Sequence, residues 1–167
     1  MIRGFPPIAA PDARVLILGT VPSERSLLER QYYAHPRNAF WRIMEELFAE
    51  GARLDYDERV EMLERAGVAV WDVLHAADRE GSLDSAIVSE TAAPNDIGGF
   101  LAEHPRVRSV FFNGAAAERL FRLHVGPALS ESDLGFERLP STSPANAARS
   151  FDAKLEAWRA VQRAARG

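Results

Sequence analysis

Two asparagines stand where short apolar runs give way to loops. Asn113 ends the run in "VFFNG" (Val110–Gly114), and Asn38 lies in "YYAHPRNAFW" (Tyr32–Trp41). A carboxamide donates through its NH2 and accepts through its oxygen. A fixed Asn113 could therefore pair with an edge that offers a carbonyl beside an N–H. Uracil has that edge at O4 and N3–H, and hypoxanthine has it at O6 and N1–H, whereas cytosine and adenine present the reverse. Asn113-Gly114 also serves as a plain turn before a helix. Asn38 can cap a helix starting at Ala39, or hold a water or a substrate oxygen, and the two roles are compatible. Among the neighbouring aromatics, Tyr33 suits a pocket wall, while Phe40 and Trp41 begin a helix and suit a core.

The segment "LPSTSPAN" (Leu139–Asn146) has the same duality. Its hydroxyls and helix-start amides suit a phosphate, while Ser143 with Pro144 behind it suits the cap of the last helix. Asp72 and Asp84, in "WDVLHAADREGSLDS", could order a pocket or a water, or be solvated or capping acids. The common chemistries lack their signatures. There is no G-x-G-x-x-G after the first strand, no G-x-x-x-x-G-K-[ST], no H-E-x-x-H and no G-x-S-x-G. The absence of cysteine removes disulfides, thiolate metal sites and cysteine nucleophiles.

Positioning these side chains requires a framework, which the hydrophobic pattern supplies. Val15–Leu18, Val68–Val73, Val107–Phe112 and Phe136–Leu139 read as strands. Ala39–Glu50, Asp57–Arg65, a short segment capped by Asn95, Ala115–His124 and a final segment with Phe151, Leu155, Trp158 and Val161 read as helices. The stretch from Leu74 to Ile87 reads as a polar connection. Alternation of strands and helices predicts an α/β fold: three layers, α/β/α, with a short, mainly parallel four-stranded sheet. Ligands in such sheets bind beyond the strands' carboxyl ends. This gathers Gly19–Asn38, Trp71–Leu83, Asn113-Gly114 and Pro140–Asn146 at one crevice.

The length of 167 residues suggests one domain, 1–167. The net charge of −4 divides unevenly, with +3 over residues 1–43, −11 over 44–103 and +4 over 104–167. The crevice loops thus belong largely to the positive ends. No apolar run is long enough to span a membrane, and no export signal is read at the start, so a cytoplasmic protein is expected.

Together these segments resemble the uracil-DNA glycosylase superfamily, and within it the hypoxanthine-DNA glycosylase branch. "LILGTVPS" is similar to its first motif, a strand running into G-x-x-P-[GS]. "YYAHPRNAFW" is similar to the stretch that follows in that branch, "VFFNG" to the strand with the base-reading asparagine, and "LPSTSPAN" to the second motif. Val21 stands where other branches carry a catalytic Asp or Asn, and Leu139 where many carry a histidine. The resemblance implies Asn38 and Asn113 as catalytic residues. It implies Gly19, Thr20, Pro22, Tyr33 and Asp72 about the base, and Ser23, Arg37, Ser141, Ser143, Pro144, Ala145 and Asn146 on DNA, with Arg25 and Arg30 as further phosphate contacts. It implies no cofactor and no metal, a DNA partner carrying a deaminated base, and a monomer as the simple expectation. The single lysine, Lys154, lies in the last helix, which leaves no candidate Schiff-base lysine. Alternatives are a uracil- or xanthine-preferring enzyme of the same superfamily, a DNA-binding module without catalysis, or a small-molecule enzyme on a flavodoxin-like sheet.

Overall fold

The computed structural model describes residues 1–129 and 133–167. In chain order the first elements are β1 (Ile2–Arg3), β2 (Val15–Gly19), α1 (Glu24–Glu29), α2 (Phe40–Phe48), α3 (Tyr56–Ala66), β3 (Val68–Asp72) and β4 (Leu74–Arg79). They are followed by β5 (Ile87–Pro94), α4 (Ile97–Glu103), β6 (Ser109–Asn113), α5 (Ala115–His124), β7 (Gly135–Leu139) and α6 (Phe151–Arg166). The central sheet has four parallel strands in the order β3-β2-β6-β7.

β2, β3 and β6 are buried on both faces, which is why they read as apolar runs and not as alternations, whereas β7 is exposed up to Leu139. Val15, Ile17, Val68, Val70 and Phe111 face one core, with Phe40, Ile43, Met44, Leu63 and Trp158 from α2, α3 and α6. Leu16, Leu18, Ala69, Val110 and Phe112 face the other, with Ile97, Phe100, Leu120 and Phe121 from α4 and α5. The expected three layers are present. Phe40 and Trp41 are both core residues. α3 is bounded by an Asp55–Glu58 capping box at its start and by a left-handed Gly67 at its stop.

Three local expectations are corrected. First, Leu74–Ile87 is not a plain polar connection: β4 and β5 form an antiparallel pair, joined by β1 into a second, three-stranded sheet. The pairing shifts register twice and most of β5 faces solvent, so no apolar alternation marks it. Second, the cap of α4 is Asp96, whose side chain accepts from the Gly99 N–H. Asn95 instead turns inward and donates to the backbone oxygen of Asp72 at 2.8 Å. Third, α6 starts at Phe151 under a Ser150 cap. The Ser143-Pro144 pair therefore stays in the loop, and its hydroxyl accepts from the Ala145 N–H at 3.2 Å. The long loop after β2 also contains α1, capped by Ser23.

Candidate active site

Gly19, Asp72, Asn113 and Leu139 are the last residues of the four parallel strands. Gly19 pairs with Asp72 on one side of the sheet order, and Asn113 pairs with Leu139 on the other. All four line a cleft of about 890 Å³ at that edge. The cleft is also lined by Thr20, Pro22, Ser23, Tyr33, Asn38, Ser141, Ser143, Pro144, Ala145 and Asn146. The topology thus brings together every residue expected at the site except the three arginines expected on phosphates, Arg25, Arg30 and Arg37. Arg37 is exposed between His35 and Asn38 but does not itself line the cleft.

Gly19 forms the floor. A Cβ built there would meet Asp72 Oδ1 at 2.6 Å and the Tyr33 hydroxyl at 2.7 Å, so two polar groups lean over the bare glycine. Asp72 is 4% exposed. Its Oδ2 and the Tyr33 hydroxyl are buried without a hydrogen-bond partner. Burial first, then the nearby charge of Asp84, pushes the Asp72 carboxyl up to about 7, against an opposing pull from Arg79. Burial also raises the Tyr33 phenol, with Asp72 adding to it. The Tyr33 ring stacks on Phe40 with centroids 4.1 Å apart, and its backbone is left-handed at φ 53°. One ring face is therefore covered by the core, and the residue is fixed against it.

The two amides are joined through Thr142, which is 1% exposed. Its N–H donates to Asn113 Oδ1 and its hydroxyl accepts from Asn113 Nδ2, both at 3.0 Å. Its carbonyl accepts from the Ala39 N–H at 3.0 Å, next to Asn38. Asn113 keeps one N–H and one oxygen lone pair beyond these bonds, enough for one carbonyl-and-N–H edge. Asn38 Oδ1 accepts from the Phe40 N–H at 3.0 Å, and its NH2 makes no bond among the described residues. The backbone there is anchored by a helix start while the donor group stays available to the cleft.

The β4–β5 connection clamps the first loop from the far side. Thr20 donates to Asp84 at 2.7 Å, the Glu24 N–H donates to Ser82 at 2.9 Å, and Arg79 donates to the Pro22 carbonyl at 2.6 Å. Ser82–Ser85 consequently form one wall of the cleft. Sequence reasoning missed this clamp, together with Thr142 and the cationic lining residues Arg138 and Arg149. Asp84 had been singled out, and here it holds Thr20. Arg25 is paired with Glu29 at 2.6 Å on exposed helix surface.

The family model described as the uracil DNA glycosylase superfamily matches residues 6–162. The chain belongs to that superfamily. It is 36% identical over 165 residues to a Methanosarcina acetivorans protein named hypoxanthine DNA glycosylase, covering 96% of this chain and 98% of the relative. A Methanosarcina barkeri protein of the same name is 37% identical over 113 residues, covering 67% and 70% of the two chains. The fold is also similar to the solution NMR structure of a Methanosarcina acetivorans protein assigned as a uracil DNA glycosylase. The TM-score is 0.82 and the identity 34%, with 99% and 98% of the chains covered.

Val21 and Leu139 both line the cleft and are 7% and 3% exposed. Neither can take or give a proton, whereas Asn38, Asn113, Tyr33 and Asp72 bring polar groups to the same cleft. Lys154 does not line the cleft. Its buried ammonium lies 3.5 Å from the Ser143 carbonyl, behind the loop, and burial lowers its pKa.

The Asp72 carboxyl carries a stability consequence. Its folded-state pKa is raised above the ordinary carboxylate range. The stabilisation is therefore complete at pH values below that range and is lost as pH rises towards about 7. Asp72→Asn removes the ionisation. It is expected to raise Tm at pH 8, by an amount on the order of 2–4 kcal/mol of stability, and to leave Tm little changed at pH 4. Thermal melts of both proteins at the two pH values check this.

Proposed function

We propose that this chain is a monofunctional DNA glycosylase that hydrolyses the N-glycosidic bond of a deaminated base, with hypoxanthine preferred, and so opens base excision repair. The observation that carries the reading is the convergence of Asn38, Asn113 and the Gly19 floor on one cleft roomy enough for an extruded purine nucleotide. The names of the two Methanosarcina relatives favour hypoxanthine as the base.

The protein approaches DNA through phosphate contacts from Arg37, Ser23, Ser141 and Ser143, and the target nucleotide leaves the stack. Pro144, Ala145 and Asn146 probe the gap. The base settles against Tyr33 over Gly19, with Thr20 and Pro22 shaping the turn. Asn113 donates to O6, where negative charge gathers as the C1′–N9 bond breaks, and so favours the transition state over the ground state. Asn38 holds the water that captures the sugar cation. An amide is a poor base, so the bond is largely broken before water attacks. The protein acts as a monomer and needs no cofactor.

The test is to incubate the protein with duplexes carrying hypoxanthine, uracil or xanthine and to cleave abasic sites with alkali. Release from hypoxanthine, with no borohydride-trapped adduct on Lys154, is expected, as is binding that weakens steeply with salt. Release from uracil alone would overturn the purine preference. Tight binding without release from any base would mark a non-catalytic module.

A further inference from the structure

Asp72 takes no part in the steps assigned to Asn38, Asn113 and Tyr33, yet it is the acid at the strand end beside the Gly19 floor. Asp72 ends β3, is almost wholly buried, and lines the cleft with Oδ2 unpartnered. A buried carboxylate without a cation or donor is costly, whereas the neutral acid is tolerable. In its neutral form, however, the carboxyl carries an O–H that needs an acceptor. Oδ2 has no hydrogen-bond partner among the described residues, and an acceptor on a ligand at the cleft would complete the carboxyl.

We propose that Asp72 is the general acid of the reaction, giving its proton to N7 of the departing purine. The inference rests on the glycosylase reading above and adds the residue that makes a purine a competent leaving group.

The placement argues for N7. Asp72 and Asn113 lie on either side of Gly19 in the sheet, two strand spacings apart, or about 9.6 Å between backbones. Asp72 Oδ1 leans inward over Gly19. The Asn113 amide approaches from the opposite side, near enough to the Tyr33 hydroxyl to oppose the rise in its pKa. A purine held by Asn113 at O6 and N1–H presents N7 next to O6, along the edge that runs toward the other polar group of the floor. A pyrimidine has no ring nitrogen there, so the acid would act on purines alone.

The step balances without a co-reactant. The C1′–N9 bond breaks and its electron pair goes to the base. The Asp72 O–H bond breaks and its proton goes to N7, so the base leaves as neutral hypoxanthine. Water adds to C1′ and loses a proton, which restores the Asp72 acid. Val21 and Leu139 supply no proton, which leaves this role open for another group.

The groups facing Asp72 set when it is loaded. Asp84, next to the β5 start, and Tyr33 and Tyr32 from the loop before α2 favour the protonated acid or add no positive charge. Arg79 from β4 opposes them but is tied to the Gly81 and Pro22 carbonyls. The acid is therefore available near neutral pH.

Single-turnover release of hypoxanthine is measured from pH 5.5 to 8.5 for wild type, Asp72→Asn and Asp72→Ala. Affinity for duplexes carrying deoxyinosine or 7-deazadeoxyinosine is measured alongside. The wild-type rate should fall as pH rises through about 7. Asp72→Asn should be slower by about 10²–10⁴-fold and flat with pH. The Asn amide still donates to N7, so Asp72→Asn should keep the binding preference for deoxyinosine, whereas Asp72→Ala should lose it. A wild-type rate that is flat or rises with pH would overturn the proposal. So would an Asp72→Asn rate equal to wild type, or equal wild-type affinity for the two duplexes. If wild type releases no hypoxanthine at any pH, the glycosylase reading itself fails.

Discussion

Asn38→Ala is expected to slow hypoxanthine release by about 10²–10³-fold under single turnover, while duplex affinity stays within about threefold of wild type. Asn38 offers the cleft an NH2 that makes no bond among the described residues, on a backbone anchored beside it. Its own Oδ1 accepts from Phe40, and the Ala39 N–H is bound by Thr142. Alanine removes the group that positions water but leaves the phosphate contacts intact. The fold should survive, because α2 is held by Phe40, Ile43, Met44 and Leu47 in the core and the lost side-chain bond contributes only about 1 kcal/mol. Asn38→Asp separates positioning from stability. A carboxylate there can both hold the water and take its proton, so activity should return with a rate that rises through the carboxylate range. An alanine variant as fast as wild type would show that the water is held elsewhere.

The architecture was legible because β2, β3 and β6 of the central sheet are buried on both faces. Apolar runs at Val15–Leu18 and Val68–Val73 can hardly belong to anything but interior strands in a chain that also carries amphipathic helices. Strand ends then pointed to the candidate cleft, which Gly19, Asp72 and Asn113 line at the ends of β2, β3 and β6. Non-local bonds stayed hidden. Thr20 meets Asp84 across 64 positions, and Asn113 meets Thr142 across 29. Neither pair has a local pattern that betrays it. The second sheet stayed hidden for a different reason. Its outer strand β5 exposes most of its side chains and is bulged against β4, so burial leaves no period to read. The segment around Ser143 illustrates a third limit. A serine before a proline has the composition of a helix cap, but α6 begins seven residues beyond Pro144, at Phe151. Composition named the motif, and only the chain's path decided between cap and cleft.

Gly19→Ala should lower the rate by at least about 10²-fold and destabilise the protein by about 1–3 kcal/mol. The methyl would fall 2.6 Å from Asp72 Oδ1 and 2.7 Å from the Tyr33 hydroxyl, closer than carbon and oxygen approach without one of them moving. Neither can yield easily. Tyr33 is stacked on Phe40 with a left-handed backbone, and Asp72 sits at the end of a paired strand with its carbonyl bound by Asn95. The clash therefore displaces the groups proposed to touch the base. Tyr33→Phe removes one of the two opposing atoms. The double variant Gly19→Ala/Tyr33→Phe should regain part of the lost stability relative to the sum of the single changes, a coupling a thermodynamic cycle would measure. Gly81→Ala is the contrasting case. Its φ is positive, at 72°, unlike that of Gly19, and nothing among the described residues lies within 4 Å of an added Cβ, so the change should strain the β4–β5 turn and leave the rate unchanged. A Gly19→Ala protein with full activity would mean that the base does not rest on this floor, and the role assigned to Asp72 would go with it.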